Sequence, residues 1–312
     1  TGAGGFIGSH LTTKLLDLGA NVTALVQYNS HHDWGMLETI NDKRNTNLEV
    51  VLGDIRDAFM MKKLTEGQEI VFHLAALIGI PYSYIAPNSY IDTNIQGSAN
   101  LFQASLENNV RKIIHTSTSE VYGTAIYTPI DEKHPLQGQS PYSASKIAAD
   151  MTAMSYAYSF NLPIVILRPF NTYGPCQSSR AIIPAVISQA LTKKEIEIGS
   201  LAPLRDFNYV SDTVNGFLCL GESEFSHGEV FNLSSGKQIS IGELAELIKK
   251  ILDVDIPVKS KKERIRPGKS EVLSLLGDSS YLKENTSWES EISLENGIKK
   301  TIYYIKAHIK NY

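Results

Sequence analysis

Short apolar runs rich in Val and Ile recur along the first half of the chain. They read NVTALVQY (21–28), LEVVLGD (48–54), EIVFHLAA (69–76), VRKIIHTS (110–117) and LPIVILRP (162–169). Their hydrophobicity is continuous and not alternating, which indicates strands buried on both faces of a parallel sheet. Helical stretches lie between them, at 9–20, 93–109 and 143–160. The pattern predicts an α/β fold of the Rossmann type, a doubly wound parallel sheet.

The alternation loosens after residue 169, where shorter elements with polar connections follow and a helix is predicted over 240–252. We predict a dinucleotide-binding domain over 1–169. A smaller C-terminal α/β domain is predicted mainly over 170–312, with 205–235 returning to the first domain. Because the chain opens inside a motif, we also expect a first strand of roughly 5–10 residues to precede Thr1.

Composition limits the possible functions. The chain has 312 residues, 42% of them hydrophobic, and a net charge of -4, which argues against a general nucleic-acid binder. Cys176 and Cys219 lie in unrelated contexts, so we expect neither a disulfide framework nor a metal site. No apolar run is long enough to span a membrane and no signal peptide is visible, so we expect a cytoplasmic location.

The first residues, TGAGGFIGSHL, carry a glycine-rich turn. Gly2, Gly5 and Gly8 recur at every third position and lead directly into a predicted helix. Glycines in that place let backbone amides approach a pyrophosphate at the helix N-terminus. An NAD-selective site usually has Asp or Glu at the end of the following strand, but here Gln27 to Ser30 occupy it. The absent acid does not repel a 2′-phosphate and no arginine attracts one, so NAD and NADP both stay open.

A second motif, YSASK, places Tyr142 and Lys146 one helical turn apart on the same face. A lysine ammonium near a tyrosine hydroxyl favours the phenolate, so we expect the pKa of Tyr142 to be lowered toward that of a usable base. A third motif, HTSTSEVYG, ends a buried strand with Thr118, Ser119 and Glu120. A carboxylate at the end of a core strand is a candidate catalytic group, although a lone glutamate there is more often a solvated loop acid.

Taken together, these motifs resemble those of the extended short-chain dehydrogenases/reductases that act on nucleotide sugars. The sequences TGAGGFIG, GDIRD, HLAA, DTNIQGSANL, TSTSEVYG, PYSASK, RPFNTYGP and RDFNYVSD occur in that family's order over nearly the whole chain. Within the family, LIGIPYSYIAPNSYIDTN and RPFNTYGPCQSSRAIIP are most similar to bacterial sugar-nucleotide 4,6-dehydratases, particularly those of the legionaminic-acid pathway.

This resemblance implies a role for each catalytic candidate. Tyr142 would take the proton of the sugar's 4-hydroxyl while a hydride passes to the nicotinamide, and Thr118 would hydrogen-bond the same oxygen. Lys146 would hold the nicotinamide ribose and keep Tyr142 anionic. Glu120 would remove the hydrogen at carbon 5, which the 4-ketone acidifies. Water then leaves carbon 6 and the hydride returns there, so the bound cofactor is recycled.

The identity of the general acid stays open. The dTDP-glucose dehydratases have Asp between the Thr and the Glu, whereas this chain has Ser119, as the GDP-mannose dehydratases do. The acid could then be Glu120 itself, with a relay through Ser119.

The resemblance also implies binding residues and partners. The cofactor, NAD or NADP, would be bound tightly by Gly2, Gly5, Phe6, Ile7, Gly8, Ser30, Asp54, Ile55, Leu74, Ala75, Ala76, Tyr142 and Lys146. The diphosphate of a nucleotide-sugar substrate would be bound by Asn171, Arg180, Arg205 and Arg266. Arginine suits this task because its donors match phosphate oxygens. The branch resemblance favours an N-acetylglucosamine unit on UDP or GDP.

Other functions of the same family remain as alternatives. Nucleotide-sugar decarboxylases also have Thr-Ser-Glu before Val-Tyr-Gly, but their tyrosine helix typically reads YDEGK, not YSASK. The 4-epimerases normally lack a base at position 120, and a non-catalytic dinucleotide sensor would not need Thr118, Tyr142 and Lys146 together.

For the oligomeric state, we predict a homodimer through the helices at 93–109 and 143–160. Their apolar residues exceed what one sheet face needs and include Ile95, Leu101, Phe102, Met151, Met154 and Tyr158. The alternative is that these residues only cover the sheet.

Overall fold

A computed structural model describes residues 1–40, 46–265 and 267–312. Its strands are β1 Val22–Gln27, β2 Leu48–Gly53, β3 Ile70–His73, β4 Lys112–Thr116, β5 Ile164–Pro169, β6 Asn171–Tyr173, β7 Ile196–Ile198, β8 Leu204–Tyr209, β9 Val230–Leu233, β10 Gln238–Ser240 and β11 Val258–Ser260. Its α-helices are α1 Phe6–Asp17, α2 Leu37–Ile40, α3 Ala58–Thr65, α4 Ile80–Ser83, α5 Pro87–Tyr90, α6 Gly97–Glu107, α7 Pro141–Phe160, α8 Ile182–Thr192, α9 Val210–Glu222, α10 Ile241–Leu252, α11 Ser280–Asn285 and α12 Leu294–Ala307.

The parallel sheet lies in two hydrogen-bonded parts. One part has the order β3-β4-β5-β9 with parallel pairs throughout, and the other is the parallel pair β1-β2. The first residues of the chain join them: Ala3 N donates to Leu25 O at 3.1 Å, and Leu74 N donates to Thr1 O at 3.3 Å. This confirms the predicted α/β fold with a parallel sheet, and the five strands predicted between residues 21 and 169 are present. The strand expected before Thr1 stays a prediction.

The helix boundaries differ from those expected by one to three residues, and two of the helices show why. α1 begins at Phe6, three residues before the predicted start, because the glycine turn closes at once, with Gly5 N donating to Gly2 O at 3.0 Å. The predicted helix over 93–109 begins as a π-helix at Ile91–Gln96 and continues as α6. A π-helical stretch inside a helix is often found at functional sites.

The second half contains smaller sheets. β6, β8 and β10 form a three-stranded sheet, and β7 pairs with β11. Within 205–235, β9 pairs with β5, whereas β8 pairs with β6 and β10. The division into two domains near residue 169 stays a prediction.

α7 packs along the main sheet through small residues. Ala149, Ala153 and Ala157 are buried on it, which lets the helix backbone approach β5 closely. Leu101 and Phe102 of α6 are also fully buried in the core of this half. The interpretation of these two residues as an intersubunit surface was therefore wrong, since both cover the sheet of their own subunit. In the described ranges, no helix is long and apolar enough to cross a membrane.

Candidate active site

The glycine loop lies against the carboxyl end of β3. Gly2 has φ of +72°, and a Cβ there would lie 2.7 Å from Ala75 N, while a Cβ on Gly8 would overlap Gly2 O. Only glycine permits both the left-handed backbone and this close approach. Gly5 is the N-cap of α1, so the amides of Phe6 and Ile7 stand in the first turn, where a helix has no internal partners for them. The loop therefore fits the pyrophosphate of a dinucleotide.

A glycine contact that the sequence analysis missed fixes the loop after β1. A Cβ on Gly4 would lie 2.7 Å from Trp34 O, and one on Gly35, at φ of +63°, would lie 2.5 Å from Gly4 O. The sequence signal for this contact was the pair Trp34 and Gly35, which comes shortly after His31 and His32. Ser30 is exposed in this loop, which Asn29 shapes by accepting from the amides of His31 and Asp33.

Asp54 and Ile55 follow β2, as the resemblance implied. Arg56 Nε donates to the Asp54 carboxylate at 3.0 Å, and this hydrogen bond lowers the pKa of Asp54. Ile55 is buried against Gly97. Arg56, the nearest arginine in sequence to Asp54 and Ile55, is thus already paired with the Asp54 carboxylate. It gives no reason to prefer one cofactor, so NAD and NADP both stay open.

Leu74, Ala75 and Ala76 leave β3 half-buried beside the glycine loop. The segment after them is fixed by Asn94 of the π-helix, which sequence reasoning did not single out. Its Oδ1 accepts from Leu77 N at 2.8 Å, and its Nδ2 donates to Leu77 O and to Ser145 Oγ, both at 2.9 Å. Asn94 lies within DTNIQGSANL, so the motif was visible in the sequence although its role was not.

α7 positions Tyr142 and Lys146 at the edge of the sheet. Ser140 caps the helix by accepting from Ser143 N at 3.1 Å, and the Ser143 hydroxyl reciprocates toward Ser140 N. Tyr142, in the first turn, is 7% exposed, and its ring meets that of Tyr90 edge-on at 6.2 Å. Lys146 is buried one turn later, where its Nζ donates to Thr116 O at 2.6 Å.

The expected lowering of the pKa of Tyr142 is wrong for the structure as described. Burial raises the pKa of Tyr142 far above its ordinary value, and the charge of Glu120 adds to that shift, while a hydrogen bond with Thr118 acts in the opposite direction. Lys146 instead directs its Nζ at a backbone carbonyl. The reason for the difference is desolvation, which the spacing of Tyr and Lys along a helix does not reveal.

The carboxyl end of β4 brings Thr118, Ser119 and Glu120 to the same place. Thr118 is extended and half-buried, and its Oγ1 accepts from Glu120 N at 3.2 Å. Ser119 and Glu120 begin a 3-10 helix, Ser119–Tyr122, in which Ser119 is buried and Glu120 is half-buried. Thr118 and Glu120 both lie near enough to Tyr142 to affect its pKa, Thr118 by lowering it and Glu120 by raising it.

The residues predicted to bind the diphosphate belong to the second half of the chain, where Asn171 and Arg205 lie on the paired strands β6 and β8. Asn171 is half-buried in β6 and donates to Asp206 O at 3.2 Å. Arg205 is buried in β8, with Nη2 3.3 Å from Glu271 Oε1. Arg180 is exposed. Burial raises the pKa of Tyr90, and the charge of Arg180 is near enough to oppose part of that rise. Arg266 lies outside the described residues.

The fold and this pocket define a class of protein: a dinucleotide-binding α/β protein of the short-chain dehydrogenase/reductase type, with a Tyr-Lys pair beside a strand-end Thr and Glu. The sequence profile of the GDP-mannose 4,6 dehydratase family matches residues 1–301. The chain therefore belongs to this family of nucleotide-sugar-modifying enzymes.

Curated relatives carry three different reactions at almost the same identity. The chain is 31% identical to the human dTDP-D-glucose 4,6-dehydratase, with coverage of 100% of this chain and 90% of that enzyme. It is 31% identical to a UDP-glucuronate 4-epimerase of Thermodesulfobacterium geofontis (99% and 96%). It is 30% identical to a UDP-N-acetyl-alpha-D-glucosaminuronate decarboxylase of Bacillus cytotoxicus (98% and 96%).

Solved structures agree with the fold. A UDP-N-acetylglucosamine 4-epimerase of Methanobrevibacter ruminantium has a TM-score of 0.89 at 33% identity, over 98% of this chain and 97% of that one. A dTDP-glucose 4,6-dehydratase of Streptomyces venezuelae, solved with NAD, has a TM-score of 0.87 at 25% identity, over 98% and 95%. The NAD bound in the second of these structures agrees with the prediction of a nicotinamide dinucleotide cofactor. Among the described residues, no group of three or more His, Cys, Asp and Glu side chains could hold a metal ion.

Proposed function

We propose that this protein is a nucleotide-sugar 4,6-dehydratase that uses a tightly bound NAD or NADP. Its substrate would be an NDP-hexose, with UDP- or GDP-N-acetylglucosamine as the first candidates. The observation that carries the proposal is Glu120: a half-buried carboxylate in the pocket of Thr118 and Tyr142, close enough to raise the pKa of Tyr142. A 4-epimerase needs no base at that place, whereas removal of a proton from carbon 5 does.

Residues at the carboxyl edge of the sheet would hold the cofactor. The amides after Gly5 would bind the pyrophosphate, Asp54 and Ile55 the adenosine, and Leu74 to Ala76 the middle of the dinucleotide. Bound there, the nicotinamide supplies a reversible hydride acceptor. Lys146, one turn beyond Tyr142, would hold its ribose.

Tyr142 would take the proton of the sugar's 4-hydroxyl. Because burial raises the pKa of Tyr142, its phenolate needs nearby positive charge, which the buried Lys146 ammonium, one helical turn further along α7, would provide. Thr118 lies near enough to Tyr142 to lower its pKa and would bind the same sugar oxygen. Tyr142 and Thr118 would thus together position the 4-oxygen of the sugar, from which the proton is removed.

Glu120 would then act as the base at carbon 5, where the neighbouring ketone acidifies the hydrogen. Elimination expels the 6-hydroxyl as water, and that oxygen needs a proton. Glu120, protonated by the preceding step, would be the acid that gives this proton. The buried Ser119 hydroxyl, next to it in the 3-10 helix, would act as a relay. A single carboxylate would therefore serve both steps.

The substrate's diphosphate would be bound by Arg205, Arg180 and Asn171, with Arg266 as a further candidate. Arg205 is the strongest of them, since it is buried in β8 and held by Glu271 at 3.3 Å, so its fork is already oriented.

The test is incubation of the purified protein with UDP-N-acetylglucosamine, GDP-N-acetylglucosamine and UDP-glucuronate, followed by mass spectrometry of the products. Loss of one water from an N-acetylglucosamine nucleotide supports the proposal. Loss of carbon dioxide from UDP-glucuronate, the alternative carried by the Thr-Ser-Glu sequence, would make the protein a decarboxylase. A product of unchanged mass with an inverted carbon 4 would make it an epimerase.

A further inference from the structure

A buried carboxylate lies behind the Tyr-Lys pair. Asp150 is on α7 one turn beyond Lys146 and has no solvent exposure. Its Oδ2 accepts from Ser117 Oγ at 2.8 Å and from Arg168 Nε at 3.1 Å, and Arg168 Nη2 lies 3.0 Å from the same oxygen. Sequence reasoning assigned no role to Asp150 or Arg168. Burying an ion pair this completely costs free energy, so a contribution to stability alone is a weak explanation for it.

The side chains around this carboxylate come from several elements. His115 of β4 places Nε2 3.3 Å from Asp150 Oδ1 without hydrogen-bond geometry, and its ring lies 5.4 Å from that of His73 of β3. Burial lowers the pKa of His115 to about 4 and that of His73 well below its ordinary value, so both are neutral at neutral pH.

The groups that remain charged are few. Arg168 of β5 also donates to Tyr122 Oη at 3.0 Å, and its pKa is raised, so it stays a cation. Burial raises the pKa of Asp150, but the charges of Arg168 and Lys146 lower it, and the net shift is downward, so Asp150 stays a carboxylate. Lys146 faces the same two histidines, because its charge further lowers the pKa of His115 and of His73. Asp150 is thus paired directly with Arg168, and it lies one turn from Lys146 on the same buried face of α7.

Lys146 depends on that carboxylate for its charge. Burial lowers the pKa of Lys146 to about 8, and Asp150 is the group that raises it against this effect. Without an anion nearby, a buried lysine loses its proton near or below neutral pH. A neutral amine could not stabilise the phenolate of Tyr142, whose own pKa burial has raised.

We propose that Asp150 is a positioning residue of this site: one turn from Lys146 on the buried face of α7, it keeps the Lys146 side chain protonated, while Arg168 and Ser117 hold the carboxylate in position. It touches neither substrate nor cofactor and acts through Lys146. Its catalytic meaning rests on the proposed function, but the charge of Lys146 can be measured without any substrate.

The test is an NMR titration of lysine labelled with 13C at Cε, in which the Lys146 signal is identified by its loss in K146M. In the unmodified protein, we expect Lys146 to titrate near pH 8. D150N alone would leave Arg168 buried without an anion, so the paired variant D150N/R168L removes both charges. We expect the pKa of Lys146 to fall in it by about one unit or more. The matched control R168L keeps the carboxylate, so the pKa of Lys146 should not fall there.

An unchanged Lys146 pKa in D150N/R168L would overturn the proposal. Should that variant not fold, D150E decides: it retains the charge, so Lys146 should still titrate near pH 8 even if turnover falls. A Lys146 pKa of about 7 or less in the unmodified protein or in D150E would refute it equally.

A second readout uses turnover once a substrate is known. The alkaline limb of the pH profile of kcat should move to lower pH in D150N/R168L by the same interval as the titration, with KM little changed, whereas a purely structural role would lower activity at every pH alike. If no nucleotide sugar is turned over, the proposed function fails, but the titration still decides the role of Asp150.

Discussion

At the scale of single residues, the pocket depends on a tyrosine that burial disfavours as an anion. Y142F removes the hydroxyl that would exchange the proton of the 4-hydroxyl, and we expect turnover to fall at least about 10²–10⁴-fold. The glycine loop does not depend on this hydroxyl, so nicotinamide released by denaturation should be undiminished. Y158F, on an exposed tyrosine of the same helix, is the matched control and should be fully active. An active Y142F would exclude Tyr142 as the base.

Glu120 should act after Tyr142 and not with it. In E120Q, Tyr142, Lys146 and Thr118 are untouched, so the oxidation at carbon 4 should still occur. Absorbance of the reduced nicotinamide should then rise on adding substrate and persist, while overall turnover falls about 10²–10⁴-fold. E66Q changes an exposed glutamate at the opposite end of β3 and should behave as the unmodified protein.

Isotope incorporation distinguishes the role of Glu120 further. In deuterated water, the unmodified protein should introduce deuterium at carbon 5 of its product, and E120Q should not. Normal turnover of E120Q, with deuterium still at carbon 5, would make Glu120 a loop acid without a catalytic role. A decarboxylase needs no proton removed from carbon 5, so it would not depend on Glu120 in this way.

At the scale of elements, the turn from Gly2 into α1 requires two backbones to touch. A Cβ on Gly8 would overlap Gly2 O, and the neighbour is backbone, which cannot rotate away. G8A should therefore displace the loop, lower the melting temperature and lose bound nicotinamide, as measured by thermal unfolding and by cofactor content. G242A is the control, because a Cβ there finds ordinary contacts of 3.5 Å or more. Full cofactor content in G8A would show that the loop does not hold the pyrophosphate.

Two buried histidines on neighbouring strands, His73 of β3 and His115 of β4, should make the stability of the protein fall in acid. Unfolded, His115 binds a proton near pH 6.5, but in the folded protein burial lowers its pKa to about 4. Between those values the unfolded chain binds more protons, so the free energy of unfolding decreases as pH falls from about 6.5 to about 4. His73 acts in the same direction.

The variant H115Q tests this. Its melting temperature at neutral pH should be lower than that of the unmodified protein, because a packed ring is lost, but its decline between pH 6.5 and 4 should be shallower. Equal slopes for the two proteins would contradict the low pKa of His115.

At the scale of the whole molecule, α7 still offers an outer face for a second copy. Leu101 and Phe102 are in the core, but Met151 and Tyr158 are 44% and 68% exposed. We predict a homodimer through this face, measured by light scattering at micromolar concentration. M151D/Y158D should be monomeric with its cofactor still bound, because charges cannot be buried unpaired in an apolar interface. Y303D, on a tyrosine of α12 that is 80% exposed, should leave the dimer intact. A monomeric unmodified protein would refute the pairing.

The strands of the sheet and the glycine turn depend largely on local sequence, so the sequence alone determined them. Continuous apolar runs specify strands buried on both faces, and glycines at 2, 5 and 8 specify the turn, because each depends on neighbours within a few residues. The Tyr142–Lys146 spacing and the TSTSEVYG motif likewise singled out the candidate side chains at the end of β4 and the start of α7. The carboxyl ends of parallel strands lie at one edge of the sheet. Recognising the strands in the sequence is therefore enough to place the residues that follow them at that edge.

What the tertiary structure decided is burial and charge. Asp150, His115 and Arg168 come from α7, β4 and β5, and no spacing in the sequence shows that they meet. The direction of the pKa shift of Tyr142 and the place of Leu101 and Phe102 in the core were wrong or open for the same reason. The dielectric around a group is set by every element packed on it, and those contacts form only when distant segments fold together.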